Sequence, residues 1–154
     1  SRYLDVTKQA YRFCCTRATM ARYYRNMGFY YLSSYNTDMA KACYTYSNIY
    51  YHTDNADSEL NYIENALKEA KDKGVTKDDK EYDIRTMQAM FDKENVEPGP
   101  DSKTIGIVYR VGELMLQDKE YALAKDCFSI VYDITNEQQL EGVLAELDIC
   151  LENA

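Results

Sequence analysis

The sequence predicts an all-α fold in which antiparallel helices pair into hairpins that stack side by side. Apolar residues recur at intervals of three and four along most of the chain, which is the spacing of one helix face. Only six glycines and two prolines interrupt the 154 residues. One spacing of glycine, alanine and an aromatic residue also occurs twice. We expect about eight helices in a single domain over residues 1–154.

The first half of the chain predicts helices over residues 3–18, 21–34 and 38–51. The first of these helices places Tyr3, Thr7, Ala10, Cys14 and Ala18 at helical spacing, with Leu4 and Tyr11 on the flanks. The second is rich in tyrosine. The loop at residues 33–37 contains serine, asparagine and threonine, which are the side chains that cap a helix N-terminus.

The central region predicts a hairpin of two helices over residues 58–73 and 79–94. Residues 54–58 form a polar turn before it. The first helix has an apolar stripe of Leu60, Ile63, Leu67 and Ala70, and Gly74 suits its C-terminal cap. Asp78 and Asp79 begin the second helix, in which Ile84, Met87 and Phe91 face inward. The prolines in residues 96–100 end it and form the main linker.

The last third predicts helices over residues 104–117, 119–134 and 137–152. Ser102 or Thr104 caps the first of them, and Asp118 caps the second. The last helix is charged apart from one narrow stripe of Leu140, Leu144, Leu147 and Leu151. A helix of this kind is suited to covering the exposed end of a stack.

Composition and charge exclude several classes of protein. Hydrophobic residues make up 45% of the chain, which is too apolar for a disordered protein. No apolar run approaches the roughly 20 residues that span a bilayer. The net charge of −8 argues against nucleic-acid binding. Residues 1–25 nevertheless hold six basic residues against Asp5 alone, so this end suits an acidic peptide or the acidic surface of another copy.

The five cysteines predict a reducing compartment, because their number is odd and a secretory signal is lacking. We therefore expect a cytoplasmic protein with free, mostly buried thiols. The start at Ser1 lacks a methionine, and we expect a piece of a longer protein. No CxxC pair occurs, and the only histidine, His52, has no cysteine nearby in the sequence, so no metal site or cofactor is expected.

The internal repeat is the most informative pattern. Twelve residues after Gly28 comes Ala40, and four later comes Tyr44; Gly112, Ala124 and Phe128 follow the same spacing. We expect each glycine to nest against its alanine, so that two antiparallel helices approach closely. Large side chains then fill the space toward the next hairpin.

These stretches resemble tetratricopeptide (TPR) repeats at about residues 21–54 and 105–138, with a divergent hairpin between them. The matching residues are Tyr24-x2-Met27-Gly28-x2-Tyr31-x8-Ala40-x3-Tyr44-x2-Ser47 and Val108-x2-Val111-Gly112-x2-Met115-x8-Ala124-x3-Phe128. The resemblance implies a right-handed superhelix whose concave face holds an extended peptide or a partner's helix. It places in that groove Arg22, Arg25, Asn26, Phe29 and Ser33 from the first repeat, with Tyr109, Arg110, Glu113 and Gln117 from the second. Arg22, Asn26 and Arg110 occupy the faces with which some family members clamp a peptide carboxylate.

No sequence motif predicts catalysis. The chain lacks GxGxxG, P-loop, HExxH and GxSxG patterns, and a single histidine leaves few ways to build a nucleophilic site. We therefore expect a non-catalytic module that binds or scaffolds a protein or peptide. Two alternatives stay open, a ligand-sensing domain attached to an upstream effector and a homo-oligomeric structural domain.

Overall fold

The computed structural model describes residues 2–34, 36–72 and 102–153. These residues form helices joined by short turns, without a β-strand, so the chain is all-α over these ranges. Six helices lie in them: α1 (Arg2–Ser33), α2 (Thr37–Tyr50), α3 (Asp54–Asp72), α4 (Ser102–Gln117), α5 (Tyr121–Thr135) and α6 (Gln139–Glu152). The helix predicted over residues 79–94, its inward residues and the linker at residues 96–100 lie outside the described residues, as does Gly74.

The chain divides into two compact units. Unit 1 comprises residues 1–20 and 101–154, and unit 2 comprises residues 21–100. Helices α4, α5 and α6 therefore belong to unit 1, whereas α2 and α3 belong to unit 2. Helix α1 contributes its residues up to Met20 to unit 1 and its remaining residues to unit 2. The expected single domain over residues 1–154 stays a prediction.

Helix α1 corrects the prediction of two helices over residues 3–18 and 21–34, because it runs unbroken for 32 residues. No glycine or proline lies near the expected break, and the hydroxyl of Thr19 donates to the carbonyl of Cys15 within the helix at 2.9 Å. Met20 is fully buried in unit 1, so its packing holds the backbone helical where a turn was expected.

Polar side chains fix the helix ends in unit 2. Asn36 caps α2, accepting a hydrogen bond from the backbone of Met39 at 3.2 Å. The polar turn expected at residues 54–58 is instead the first turn of α3. The hydroxyl of Thr53 accepts from the backbone N–H of Ala56 at 3.1 Å, which satisfies one of the free donors at that helix start.

The turn between α4 and α5 overturns the predicted cap at Asp118. Residue Glu120 precedes α5 without a side-chain capping bond, and Asp118 instead hydrogen-bonds Arg12 of α1 at 2.7 and 2.8 Å. Lys119 adopts a left-handed conformation with φ of 61°, which tightens the turn. Asp118 is drawn away from the cap because an arginine offers two charge-assisted hydrogen bonds.

Each unit has its own buried core. In unit 2 the core is a cluster of Phe29, Leu32, Ala40, Tyr44 and Ile63, against which Leu60 and Leu67 pack, so the predicted stripe of α3 is confirmed at these positions. In unit 1 the largest fully buried side chains are Met20, Met115, Leu147, Val108, Thr16 and Cys127. Leu140 and Leu147 confirm the narrow stripe of α6. Burying a large apolar side chain contributes about 1.5–3 kcal/mol.

Candidate protein-binding surface

The outward side of α4 carries four of the nine predicted groove residues. Tyr109, Arg110, Glu113 and Gln117 are all exposed and follow one line along the helix. The opposite side of α4 is buried through Ile105, Val108, Gly112 and Met115. The helix therefore separates a packed face from a polar, aromatic face. We name Tyr109, Arg110, Glu113 and Gln117 the α4 outer face.

Tyr109 and Arg110 differ in how firmly they are held. The Tyr109 ring meets the buried Phe128 ring edge to face, with centroids 5.5 Å apart and planes at 73°, while 39% of the residue stays exposed. This contact fixes the ring without covering it. Arg110 lies 3.7 Å from the Glu113 carboxylate, and both side chains are largely exposed. Such a pair is weak in water, so the guanidinium can exchange partners at little cost.

The groove residues of unit 2 are placed differently. Arg22 and Ser33 are exposed, but Arg25, Asn26 and Phe29 are buried, which corrects their expected exposure to a peptide. The cause is that this part of α1 is buried on nearly every side, so a one-sided projection from the sequence fails. Of the three predicted clamp residues, Arg22 of unit 2 and Arg110 of unit 1 are exposed cations, and Asn26 is buried.

Arg25 forms a buried ion pair with Glu59 of α3. Its Nε lies 2.9 and 3.1 Å from the two carboxylate oxygens, and Nη2 donates to Oε1 as well. Glu59 is fully buried, and the hydroxyl of Tyr44 is buried near it. Burial, followed by the Glu59 charge, raises the pKa of Tyr44. This pair was missed in the sequence, because its members are 34 residues apart.

The two repeat frames share one contact. Both glycines lie inside helices and are buried. A Cβ at Gly28 would lie 2.8 Å from the Tyr44 ring, and one at Gly112 would lie 3.0 Å from the Cβ of Cys127 and 3.3 Å from the Phe128 ring. The three atoms nearest to such a Cβ thus belong to the aromatic residue sixteen positions later, or to its neighbour, and the predicted contact with the alanine stays a prediction.

The tyrosines of unit 2 are partly stacked and partly exposed. The ring of Tyr24 stacks on Tyr50 at 5.6 Å and packs against Tyr46 at 5.3 Å. Tyr23 is buried, whereas Tyr46 and Tyr51 are about half exposed. The tyrosine-rich composition therefore serves both packing and surface, and the sequence alone does not separate the two.

His52 follows the end of α2 and joins it to the start of α3. Its Nε2 lies 2.7 Å from Oδ2 of Asp57, whose other oxygen accepts from Asn48 at 2.9 Å. Asp54 lies close enough to complete a three-residue cluster with His52 and Asp57. A cation bound there would face the positive end of α3, which disfavours it. The contacts indicate a polar connection that fixes the α2–α3 turn.

The five thiols differ in burial, and Cys150 is half-buried. Cys14 and Cys15 are exposed, which corrects the expectation that the cysteines are mostly buried and that one of this pair lies in the core. Cys43 and Cys127 are buried. Burial raises the pKa of Cys43 to about 11 and that of Cys127 to about 12. The buried thiols are therefore poor nucleophiles at neutral pH.

A scan against protein-family models finds no match to this chain, a search of curated proteins finds no similar sequence, and a search of solved structures finds none that matches. The resemblance to TPR repeats therefore stays a prediction that rests on the residues themselves. Among the residues that the structure describes, no helix is both long enough and apolar enough to span a bilayer.

Proposed function

We propose that this chain is a non-catalytic, TPR-like module that binds a protein or peptide partner through the α4 outer face. The observation that carries the proposal is the continuous exposure of Tyr109, Arg110, Glu113 and Gln117 on one side of a helix whose other side is buried. These four side chains include a fixed aromatic ring, a cation, a carboxylate and an amide.

The repeated contact between glycine and an aromatic ring supports the TPR-like part of the proposal. A side chain at Gly28 would collide with the Tyr44 ring on the following helix, and one at Gly112 would force Cys127 or Phe128 on the following helix to shift. Two hairpins built by one packing rule are what a repeat protein requires, because each repeat must present the same surface to its neighbour. The proposed architecture is a right-handed superhelix of such hairpins.

The side chains of the α4 outer face suit an extended peptide. A tyrosine fixed by its neighbour loses little conformational entropy on binding, which is why tyrosine is favoured at interfaces. Arg110 can bind a carboxylate with two parallel hydrogen bonds once it leaves Glu113. Gln117 offers both a donor and an acceptor to a peptide backbone. We expect peptides that combine an apolar or aromatic residue with an acidic one.

Selection from a displayed peptide library tests this proposal. The bait is the whole chain, and the test variant is Tyr109→Ala/Arg110→Ala. The matched control, Tyr51→Ala/Lys68→Ala, removes one exposed tyrosine and one exposed cation from unit 2. The chain and the control should enrich the same acidic-aromatic peptides. Losing a central aromatic residue and arginine should weaken the affinity for them by roughly thirtyfold or more.

Two results would refute the proposal. One is that no peptide is enriched over the immobilising surface alone. The other is that the test variant binds the enriched peptides as tightly as the control does. Circular dichroism of each variant verifies that its helix content is unchanged, so a loss of binding reports on the surface.

A further inference from the structure

The beginning of α1 leaves an apolar stripe exposed to solvent. The stripe consists of Tyr3, Leu4, Thr7, Ala10, Tyr11 and Cys14, which we name the arm face. Tyr3 is 82% exposed, Tyr11 72% and Leu4 49%. The residues have the spacing of one helix face, and the structure shows that this face is regular but uncovered.

The opposite side of α1 is anchored in unit 1. Arg12 pairs with Asp118, and Thr16 and Met20 are buried one and two turns further along. These three residues lie on the side of the helix away from the arm face, at intervals of four. The arm face therefore projects outward from a helix that its own unit already holds. Contiguous apolar surface of this kind marks an interaction site.

Charge identifies the kind of partner. Lys8 and Arg17 flank the arm face on its two edges, so the complementary surface must be acidic. Two arm faces packed on each other would bring these cations together, which disfavours that arrangement. Residues 126–154 supply the acidic surface in the same chain, since they contain seven Asp and Glu residues and no Lys or Arg.

The outward face of α6 is an exposed surface of apolar residues bordered by acidic ones. Gly142, Ala145 and Ile149 lie along it, and all three are exposed. Ile149 is 56% exposed, and a Cβ at Gly142 would meet nothing within 4 Å. A helix can approach Gly142 and Ala145 closely, and Ile149 adds apolar area to this seam. Glu146 and Glu152 flank the seam and are exposed. We name Gly142, Ala145 and Ile149 with these two glutamates the α6 acidic face.

We propose that two copies of this chain form a reciprocal dimer in which the arm face of each docks on the α6 acidic face of the other. The two faces are of similar length, since residues 3–14 of a helix extend about 17 Å and residues 142–152 about 15 Å. One helix-on-helix contact is smaller than a stable interface, and the twofold arrangement doubles it toward the usual 1,200–2,000 Å² in total. Opposite charges border apolar residues on both faces.

The oligomeric state of the whole chain tests the dimer, and no peptide is involved, so its outcome is independent of the proposed binding function. Sedimentation velocity should show a dimer at low salt that dissociates as salt rises, because the flanking charges are exposed. Lys8→Glu places like charges together in both contacts. It should raise the dimer dissociation constant by about tenfold or more for each contact. Glu146→Lys should do the same.

Mixing the two single variants gives the most specific result. In the mixed dimer, the glutamate that replaces Lys8 in one copy faces the lysine that replaces Glu146 in the other, while the second contact keeps its natural Lys8 and Glu146. The mixture should therefore dimerise although each variant alone is monomeric. Lys68→Glu, an exposed substitution of the same kind on α3, should dimerise like the unchanged chain.

Three outcomes would overturn the proposal: a monomer at every salt concentration, a dimer that tolerates Lys8→Glu, or a variant mixture that stays monomeric. Tyr11→Ser provides a second check, because removing an aromatic ring that is 72% exposed should leave folding intact and still weaken the dimer. Binding of the arm to anionic lipid vesicles, with a monomer in solution, would assign the arm face to a membrane surface and refute the dimer.

Discussion

Replacing Gly28 with alanine places a methyl group against the ring of Tyr44. The new carbon would lie 2.8, 2.9 and 3.0 Å from three ring atoms, where ordinary contacts between carbons lie at 3.4–4 Å. The ring has no room to retreat, because Tyr44 is fully buried and its hydroxyl lies near the Arg25–Glu59 pair. Either the helices separate or the ring leaves its rotamer.

The cost follows from two opposing effects. Overpacking a well-packed core costs up to about 3 kcal/mol, and alanine recovers about 1 kcal/mol of helix propensity relative to glycine. Gly28→Ala should therefore destabilise unit 2 by about 2 kcal/mol. Gly112→Ala meets its neighbours at 3.0 and 3.3 Å, so its net cost in unit 1 should be smaller. Gly106→Ala meets nothing within 4 Å and should stabilise unit 1 by about 0.5 kcal/mol.

Urea unfolding followed by far-ultraviolet circular dichroism measures this series, since the chain has no tryptophan to report by fluorescence. The Tyr44→Leu background provides a double-mutant cycle, in which Gly28→Ala should cost much less because the ring is gone. The reasoning is refuted if Gly28→Ala is as stable as the unchanged chain, or if its cost is the same with leucine at position 44.

Three further predictions concern buried or paired groups. Glu59→Leu should lower the free energy of unfolding by about 3–5 kcal/mol, because it leaves the buried charge of Arg25 without its partner carboxylate. The double change Arg25→Leu/Glu59→Leu removes both charges and should cost much less in the same urea assay. Burial raises the pKa of Cys43 to about 11 and of Cys127 to about 12, from an ordinary 9.0. As the pH rises, these thiols therefore ionise in the unfolded chain before they ionise in the folded one. The free energy of unfolding should keep its full value below pH 9 and fall between pH 9 and 12. The fall should be less steep when both Cys43 and Cys127 are replaced by alanine. Hydrogen bonds from the Arg12 guanidinium lower the pKa of Asp118 below its ordinary 3.8. The stabilisation by the ionised Asp118 should therefore be complete above pH 3.8 and be lost as the pH falls through the lowered pKa. Asp118→Asn should remove this acid-side dependence in a pH series of urea midpoints.

The positions of helices were predictable where the spacing of apolar residues is regular. The sequence placed α2, α4 and α6 within about two residues of their observed ends, because the apolar spacing of these helices is regular, and a side-chain cap at Asn36 marks the start of α2 as well. It divided α1 wrongly, since no residue near Thr19 and Met20 breaks a helix and only the packing of Met20 shows the continuity.

The exposure of the predicted groove residues was predictable in unit 1 and less so in unit 2. Helix α4 has one buried side, and Tyr109 and Arg110 are exposed on the other, while their role in a groove stays a prediction. The second part of α1 is enclosed, and there Arg25 and Phe29 point into the interior. A sequence shows no sign that an arginine has a partner 34 residues away, because that pairing depends on tertiary structure alone.

The repeat frame identified glycines that are buried inside helices, and the contact of each glycine with its alanine stays a prediction. Spacing of glycine, alanine and an aromatic residue cannot show which side chain comes nearest, since Ala40 and Tyr44 lie one turn apart on the same face of α2. The structure shows that the ring of Tyr44 reaches Gly28 most closely. The Gly28 substitution therefore tests the contact between this position and the Tyr44 ring.

The most direct test of the binding proposal is a nuclear magnetic resonance titration of the isotope-labelled chain with a peptide enriched in the library selection. The proposal predicts that the largest shifts of backbone and side-chain signals fall on Tyr109, Arg110, Glu113 and Gln117, and that Arg110→Ala removes them. Shifts concentrated on α3 or α6 while the α4 signals stay unchanged would contradict it.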